Sequence, residues 1–272
     1  MKRLAAILLA LPLFLPLAAQ TPTPTPATPR IRLSTTTSTR DSGLLDAILP
    51  LFQAETGYRV EVAAVGTGAA IKLGRDGNAD VLLVHDRPAE DLFVADGFGI
   101  DRRDVFYNDF VVIGPAADPA GVGRTKSAAE AFAAIYKAGA AFISRGDKSG
   151  TDSKEKALWK ATNLSPAGLA WYREIGQGMG PTILMAEQLQ AYSLADIATW
   201  LAMKDKVKLA VLSRGDRILF NPYGIITVNP GKYPATNLAG AKAFADWLTG
   251  PKGQALVAAY KINGEPGFSL YK

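Results

Sequence analysis

The chain reads as an α/β protein of two lobes with a ligand cleft between them, and three observations carry that reading. Short apolar runs alternate with stretches whose apolar residues recur at helical spacing, from Ile31-Arg32-Leu33 to the C-terminus. Two segments, 114–125 and 221–225, interrupt the alternation with Gly, Pro or Asn and read as crossings between lobes. Three loops crowded with hydroxyl and glycine residues fall where an apolar strand gives way to a helix. In open α/β sheets such loops face the ligand crevice.

Composition narrows the function before any motif is read. With 272 residues and 48% hydrophobic content, the chain can hold one large domain or two lobes of ordinary size. Its formal charge is +5, and two of those charges, Lys2 and Arg3, lie in a segment expected to be removed. The other Lys and Arg residues are interspersed with acids, without a basic run or an aromatic-studded sheet motif, which argues against nucleic acid as a partner. Cysteine is absent, which excludes a disulfide framework, thiol chemistry, a thiolate metal site and a lipid-bearing cysteine behind a leader.

Residues 1–19 read as a signal peptide: Lys2 and Arg3 form a charged start, Leu4 to Leu17 an apolar stretch, and Leu17-Ala18-Ala19 a small-residue cleavage site. A transmembrane anchor fits less well, because Pro12 and Pro16 interrupt a run already short of the roughly 20 residues a bilayer span needs. Residues 20–30, dominated by alternating Thr and Pro, form an extended tether. Export to the periplasm follows.

From there the elements come in order. Ile31-Arg32-Leu33 predicts a strand, Ser34 to Thr39 a polar loop, and Leu44, Leu45, Ile48, Leu49 and Phe52 one face of a helix closed by Gly57. Tyr58 to Val65 alternates as a strand, Gly66-Thr67-Gly68 turns the chain into a helix over 69–73, and Asp80 to Val84 is a third strand. The succession implies a largely parallel sheet. Asp109 to Ile113 reads as a strand ending at Gly114-Pro115. Helices are expected near 128–137, 153–161, 166–174, 183–203, 237–249 and 252–260, with strands at 140–143 and 207–212 and no internal repeat. The lobes then comprise 31–113 with 226–272, and 114–225.

The loop Ser144-Arg145-Gly146-Asp147-Lys148-Ser149-Gly150-Thr151 lies between an apolar run and a helical pattern, an arrangement that aims several backbone N–H groups at one spot and favours an anion there. Arg145 adds a planar fork of donors, Ser149 and Thr151 add hydroxyls, and the glycines allow close approach. Helix capping alone would account for one Ser or Thr in such a loop. The run Ser34 to Thr39 with Ser42, and Gly66-Thr67-Gly68, supply two further loops of the same chemistry, which points to a compact anion in the cleft. Asp147 and Asp152 fit either helix N-terminal charges or partners that orient Arg145.

These runs, together with Asp41-Ser42-Gly43-Leu44-Leu45, Asn108-Asp109-Phe110, Trp171-Tyr172, Gly176-Gln177-Gly178-Met179-Gly180 and Asn221-Pro222-Tyr223, resemble those of the tungstate-binding proteins of the Tup type. The likeness runs in order from about Ile31 to the C-terminus. It implies the two-lobe periplasmic binding protein fold of the second type, closing on a tetrahedral oxyanion, with no cofactor and no resident metal. Position by position, it implies Thr36, Thr37, Ser38, Thr67, Gly68, Arg145, Ser149, Gly150 and Thr151 as ligand donors. It further implies tungstate or molybdate as ligand, the membrane permease of an ABC transporter as partner, and a monomer. One departure stands out: after Tyr192-Ser193-Leu194-Ala195-Asp196 this chain has Ile197 where such proteins usually carry arginine.

Other readings fit less well. Phosphate or sulfate would suit the same loops, although protonated phosphate needs an acceptor to which no carboxylate is plainly committed. For serine acyl-transfer enzymes, Lys148-Ser149-Gly150 and Ser153-Lys154-Glu155-Lys156 come in the wrong order and the Ser-Asp-Asn element is missing. No Walker loop occurs. His85, the single histidine, cannot build a multi-histidine metal site and reads as structural.

Overall fold

The computed structural model describes residues 26–271; the signal-peptide assignment and most of the tether lie outside them. Three strands, β1 (Arg30–Thr36), β2 (Arg59–Val65) and β3 (Val81–Val84), pair in parallel, with β1 in the middle. Between them run α1 (Thr37–Asp41), α2 (Leu44–Thr56) and α3 (Thr67–Arg75), and α4 (Arg87–Ala95) follows β3. The spacing of Leu44, Leu45, Ile48, Leu49 and Phe52 buries one face of α2, and Gly57 ends it in the left-handed region, where a side chain would be strained. The expected polar loop at Ser34–Thr39 hardly exists. β1 runs on to Thr36, whose hydroxyl accepts Thr39 N–H and caps α1 directly.

A long strand, β4 (Gly99–Gly114), then leads into α5 (Ala128–Ala138), β5 (Phe142–Ser144), α6 (Gly150–Ala161) and β6 (Tyr172–Glu174). After these come α7 (Met179–Leu189), β7 (Ser193–Asp196), α8 (Ile197–Met203) and β8 (Ala210–Ser213). The chain closes with β9 (Phe220–Val228), α9 (Leu238–Thr249), α10 (Pro251–Ala259) and the small hairpin β10 (Lys261–Ile262) and β11 (Glu265–Pro266). Among the described residues no helix is long and apolar enough to cross a membrane.

One expected helix is absent and another is split in two. Over 166–174 the chain turns at Gly168, φ 82°, and then forms β6. The expected helix over 183–203 is broken at Gln190, which is left-handed with φ 45°, and the completely buried strand β7 separates α7 from α8.

The sheet is mixed rather than largely parallel, in the order β2-β1-β3-β9-β4-β7, with β8 also paired to β4. Every pairing made by β9 or β4 in it is antiparallel. β4 pairs with β9 from Gly99 to Asp109 and with β7 from Phe110 to Ile113. Its side chains change cores at the same place. Val105 and Phe106 pack with Ile31, Phe52, Tyr223 and Phe244, whereas Phe110 and Val112 pack with Phe132, Phe142 and Trp159, and Val111 and Ile113 with Met179 and Ile183. A further cluster around Ala70, Leu82, Phe93 and Ile226 belongs to the first half. The two halves are therefore joined inside β4 at Asn108–Phe110 and at the start of β9, Phe220–Asn221, and the three helix starts at α1, α3 and α6 meet over that junction.

Candidate anion-binding site

Arg145 follows β5 and is 1% exposed, although it carries a full positive charge. Its Nη1 donates to Ser38 Oγ at 3.3 Å and to Thr151 Oγ1 at 3.4 Å, and its Nη2 to Thr37 Oγ1 at 3.3 Å and to Asp147 Oδ2 at 2.5 Å. Nε is buried with no hydrogen-bond partner among the described residues. One guanidinium thus joins hydroxyls separated by more than 100 positions in sequence, with a single carboxylate as its counter-charge. Burying a cation against neutral partners is costly unless an anion completes its surroundings.

The loop after Arg145 is shaped by two left-handed residues, Gly146 at φ 58° and Lys148 at φ 58°. A side chain at Gly146 would lie 2.6 Å from Glu174 Cβ, so only glycine fits. The turn aims Ser149 N–H at Asp147 Oδ1, 3.2 Å away, and lets Ser149 Oγ cap α6 by accepting Asp152 N–H at 3.2 Å. Lys148 N–H donates to Asp152 Oδ2, a contact shared with Lys156 Nζ. Asp147 therefore orients Arg145, and Asp152 caps the loop: the two readings left open by the sequence divide between the two residues.

The second loop reaches the third across the junction. Thr67 Oγ1 accepts Gly150 N–H at 3.0 Å, and Gly68 N–H donates to Lys148 O at 3.4 Å, where a side chain on Gly68 would crowd the same oxygen at 3.2 Å. Thr37, Ser38, Arg145 and Thr151 converge directly. Thr67, Gly68 and Gly150 join them through backbone contacts, and Ser149 serves as the cap. Thr36 differs: its hydroxyl lies 3.1 Å from His85 Nε2 and 2.8 Å from Thr39 Oγ1, committed to the protein.

Sequence reasoning missed two parts of this arrangement. The start of α7 closes on the site, since a side chain at Gly178 would stand 3.3 Å from Thr37 Oγ1; the glycine-rich run 176–180 was the only signal. Beneath the loops lies a buried polar chain centred on Asp196, whose Oδ2 accepts from Asn108 Nδ2 at 3.1 Å, Asn221 Nδ2 at 2.9 Å and Tyr223 O–H at 2.8 Å. Its Oδ1 caps α8 by accepting the N–H groups of Ala198 and Thr199. Burial above all holds the His85 imidazole below its ordinary pKa, so it is neutral, and it stands 3.0 Å from Asn221 Oδ1. Ile197 is half-buried and packs against the apolar clusters of both halves.

The chain resembles known proteins over most of its length. Residues 22–252 match the model of the PBP superfamily domain. A tungstate-binding protein TupA from Peptoclostridium acidaminophilum is 48% identical over 84% of this chain and 80% of its own length. The crystal structure of the tungstate ABC transporter from Geobacter sulfurreducens superposes with a TM-score of 0.79 at 52% identity, covering 85% of this chain and 98% of that one. The tungstate-binding protein TupA from Desulfovibrio alaskensis does so with a TM-score of 0.76 at 42% identity, covering 89% and 98%.

Proposed function

The chain belongs to the PBP superfamily and, within it, to the TupA-type tungstate-binding proteins, and we propose that it captures tungstate outside the cytoplasm for delivery to an ABC permease, without catalysis. The observation that carries this reading is Arg145, buried between Thr37 and Ser38 on one side and Thr151 on the other, with one carboxylate to balance it. A dianion held there would gain charge-assisted bonds from the guanidinium and neutral donors from the hydroxyls of Thr37, Ser38, Thr67, Ser149 and Thr151, while the Gly68 and Gly150 amides, engaged by Lys148 O and Thr67 Oγ1, would donate to it only on leaving those partners. The Thr36 hydroxyl, already engaged, shapes the loop.

Both oxygens of Asp147 are occupied, one by Arg145 and one by Ser149 N–H. Asp147 is the carboxylate that a protonated phosphate would have to use as acceptor beside the guanidinium, whereas an anion fully ionised at neutral pH needs none. Tungstate and molybdate have that charge and a common tetrahedral shape. In this reading the mature chain starts after residue 19, works as a monomer, and divides into lobes of residues 31–113 with 226–272 and residues 114–225. Isothermal calorimetry of the mature protein against tungstate, molybdate, sulfate and phosphate is the test. Tight binding of tungstate is expected, and binding of phosphate alone would overturn the proposal.

A further inference from the structure

Resting on the oxyanion reading, we propose that His85 is a positioning residue of the site, a neutral imidazole with its proton on Nδ1 that sets the Thr36–Ser38 loop against the start of α6. His85 follows β3 and is 4% exposed. Its tautomer follows from its neighbours. Asn221 Nδ2 faces two oxygens that can only accept, Asn108 Oδ1 at 2.7 Å and Asp196 Oδ2 at 2.9 Å. That fixes Asn221 Oδ1 as the atom turned to the ring, so His85 Nδ1 must donate to it. A neutral ring then presents a bare Nε2, and the Thr36 hydroxyl donates to it. Both lone pairs of Thr36 Oγ1 remain for Thr39, which supplies its N–H at 3.2 Å and its hydroxyl at 2.8 Å. Asn221 Oδ1, both ring nitrogens of His85 and Thr36 Oγ1 are then all paired.

The same residue touches the other half of the molecule. A side chain on Gly150 would lie 2.9 Å from His85 O and 3.3 Å from ring Nδ1, so the first residue of α6 sits directly on His85. The ring stacks on Tyr223 at 4.6 Å, and the charged groups that face it are Asp196, Arg145 and Asp86. An added proton would place a second N–H against Thr36 Oγ1, which could accept it only if the Thr36–Thr39 hydroxyl bond reversed, and would set a cation beside Arg145. His85 in its neutral form therefore links the donor loop after β1, the donor loop before α6 and the strand junction at Asn108 and Asn221.

The chain's single histidine makes the test direct. Nitrogen-15 NMR of the labelled protein at pH 7 should show one imidazole, protonated at Nδ1 and bare at Nε2; an Nε2–H tautomer or an imidazolium would overturn the proposal. His85→Asn keeps a donor at the Nδ1 position but loses the acceptor that Thr36 needs, and should weaken tungstate binding on the order of tenfold. His85→Gln, which restores an acceptor at the reach of Nε2, should recover the larger part of that loss. Equal affinities of the two variants, or of His85→Asn and the wild type, would count against it. If His85→Asn does not fold, the wild-type tautomer and the His85→Gln titration decide. Failure of the wild type to bind tungstate would instead remove the functional reading beneath the proposal.

Discussion

Thr67 Oγ1 accepts the backbone N–H of Gly150 at 3.0 Å, so the first residue of α3 is pinned to the first residue of α6 across the junction of the two halves. With its oxygen accepting from Gly150, the hydroxyl proton of Thr67 is left to point at a ligand. Thr67→Val keeps the shape and removes both roles, yet it also releases Gly150 N–H as a substitute donor. Tungstate affinity should therefore fall by only about 1 kcal/mol, roughly fivefold. A calorimetric titration indistinguishable from wild type would show that the Thr67 hydroxyl makes no net contribution to holding the anion.

Arg145 should matter far more. Arg145→Ala removes the one guanidinium among the three donor loops and leaves Asp147 without its partner, so the site turns from balanced to negative. Binding should weaken by about 2–4 kcal/mol, more than the loss of any single hydroxyl. Arg145→Lys keeps the charge but cannot fork between Ser38, Thr151 and Thr37, and should recover only part of the affinity. Undiminished binding by Arg145→Ala would place the anion elsewhere.

The donor loops were legible because their chemistry is local: hydroxyls, glycines and an arginine at helix starts carry their meaning in a few adjacent residues. The chain's middle was less so. Apolar residues continue through Ala186, Leu189, Ala191 and Leu194 with no Pro or Gly, and only the tertiary demand for a buried strand beside β4 breaks that run at Gln190. The change of core happens inside β4, between Phe106 and Phe110, where nothing in the composition changes, whereas the Gly114-Pro115 signal marks the end of that strand. The link from His85 to Asn221 spans 136 positions and could not be read from either residue's neighbours.

Glu155, one turn into α6, is 1% exposed, and burial pushes its carboxyl up to about 7 despite hydrogen bonds from Tyr172 O–H at 2.7 Å and Trp159 Nε1 at 3.0 Å. Between the ordinary value of 4.5 and about 7 the folded chain keeps a proton that the unfolded chain releases, so stability falls as pH rises through that window and then levels off. Glu90, paired with Arg102 and also raised to about 7 by burial, adds to the same slope. Glu155→Gln preserves the acceptor for Tyr172 and Trp159 and removes its share, on the order of 3 kcal/mol across the window. Urea denaturation of both proteins between pH 4.5 and 7.5 is the measurement. Parallel slopes would mean that Glu155 ionises freely in the native state.

Anion binding should also close the molecule. In the proposed site the guanidinium meets Thr37 and Ser38 from one half and Thr151 from the other, and the halves join where β4 changes partners at Asn108–Phe110 and where β9 begins at Phe220–Asn221. A ligand bridging those groups binds the closed arrangement better than the open one and so shifts the population toward closure. Small-angle scattering of the mature protein should show a smaller radius of gyration with saturating tungstate. The melting temperature should rise with the logarithm of free tungstate, because the ligand binds only the folded state. Ile197 bears on the size of the first effect, since its apolar side chain packs against clusters of both halves and leaves closure to the anion and the loop contacts. If the melting temperature rises while the scattering profile stays fixed, the loops are preassembled without ligand, and Thr67 with Gly150 would be the contact that holds them so.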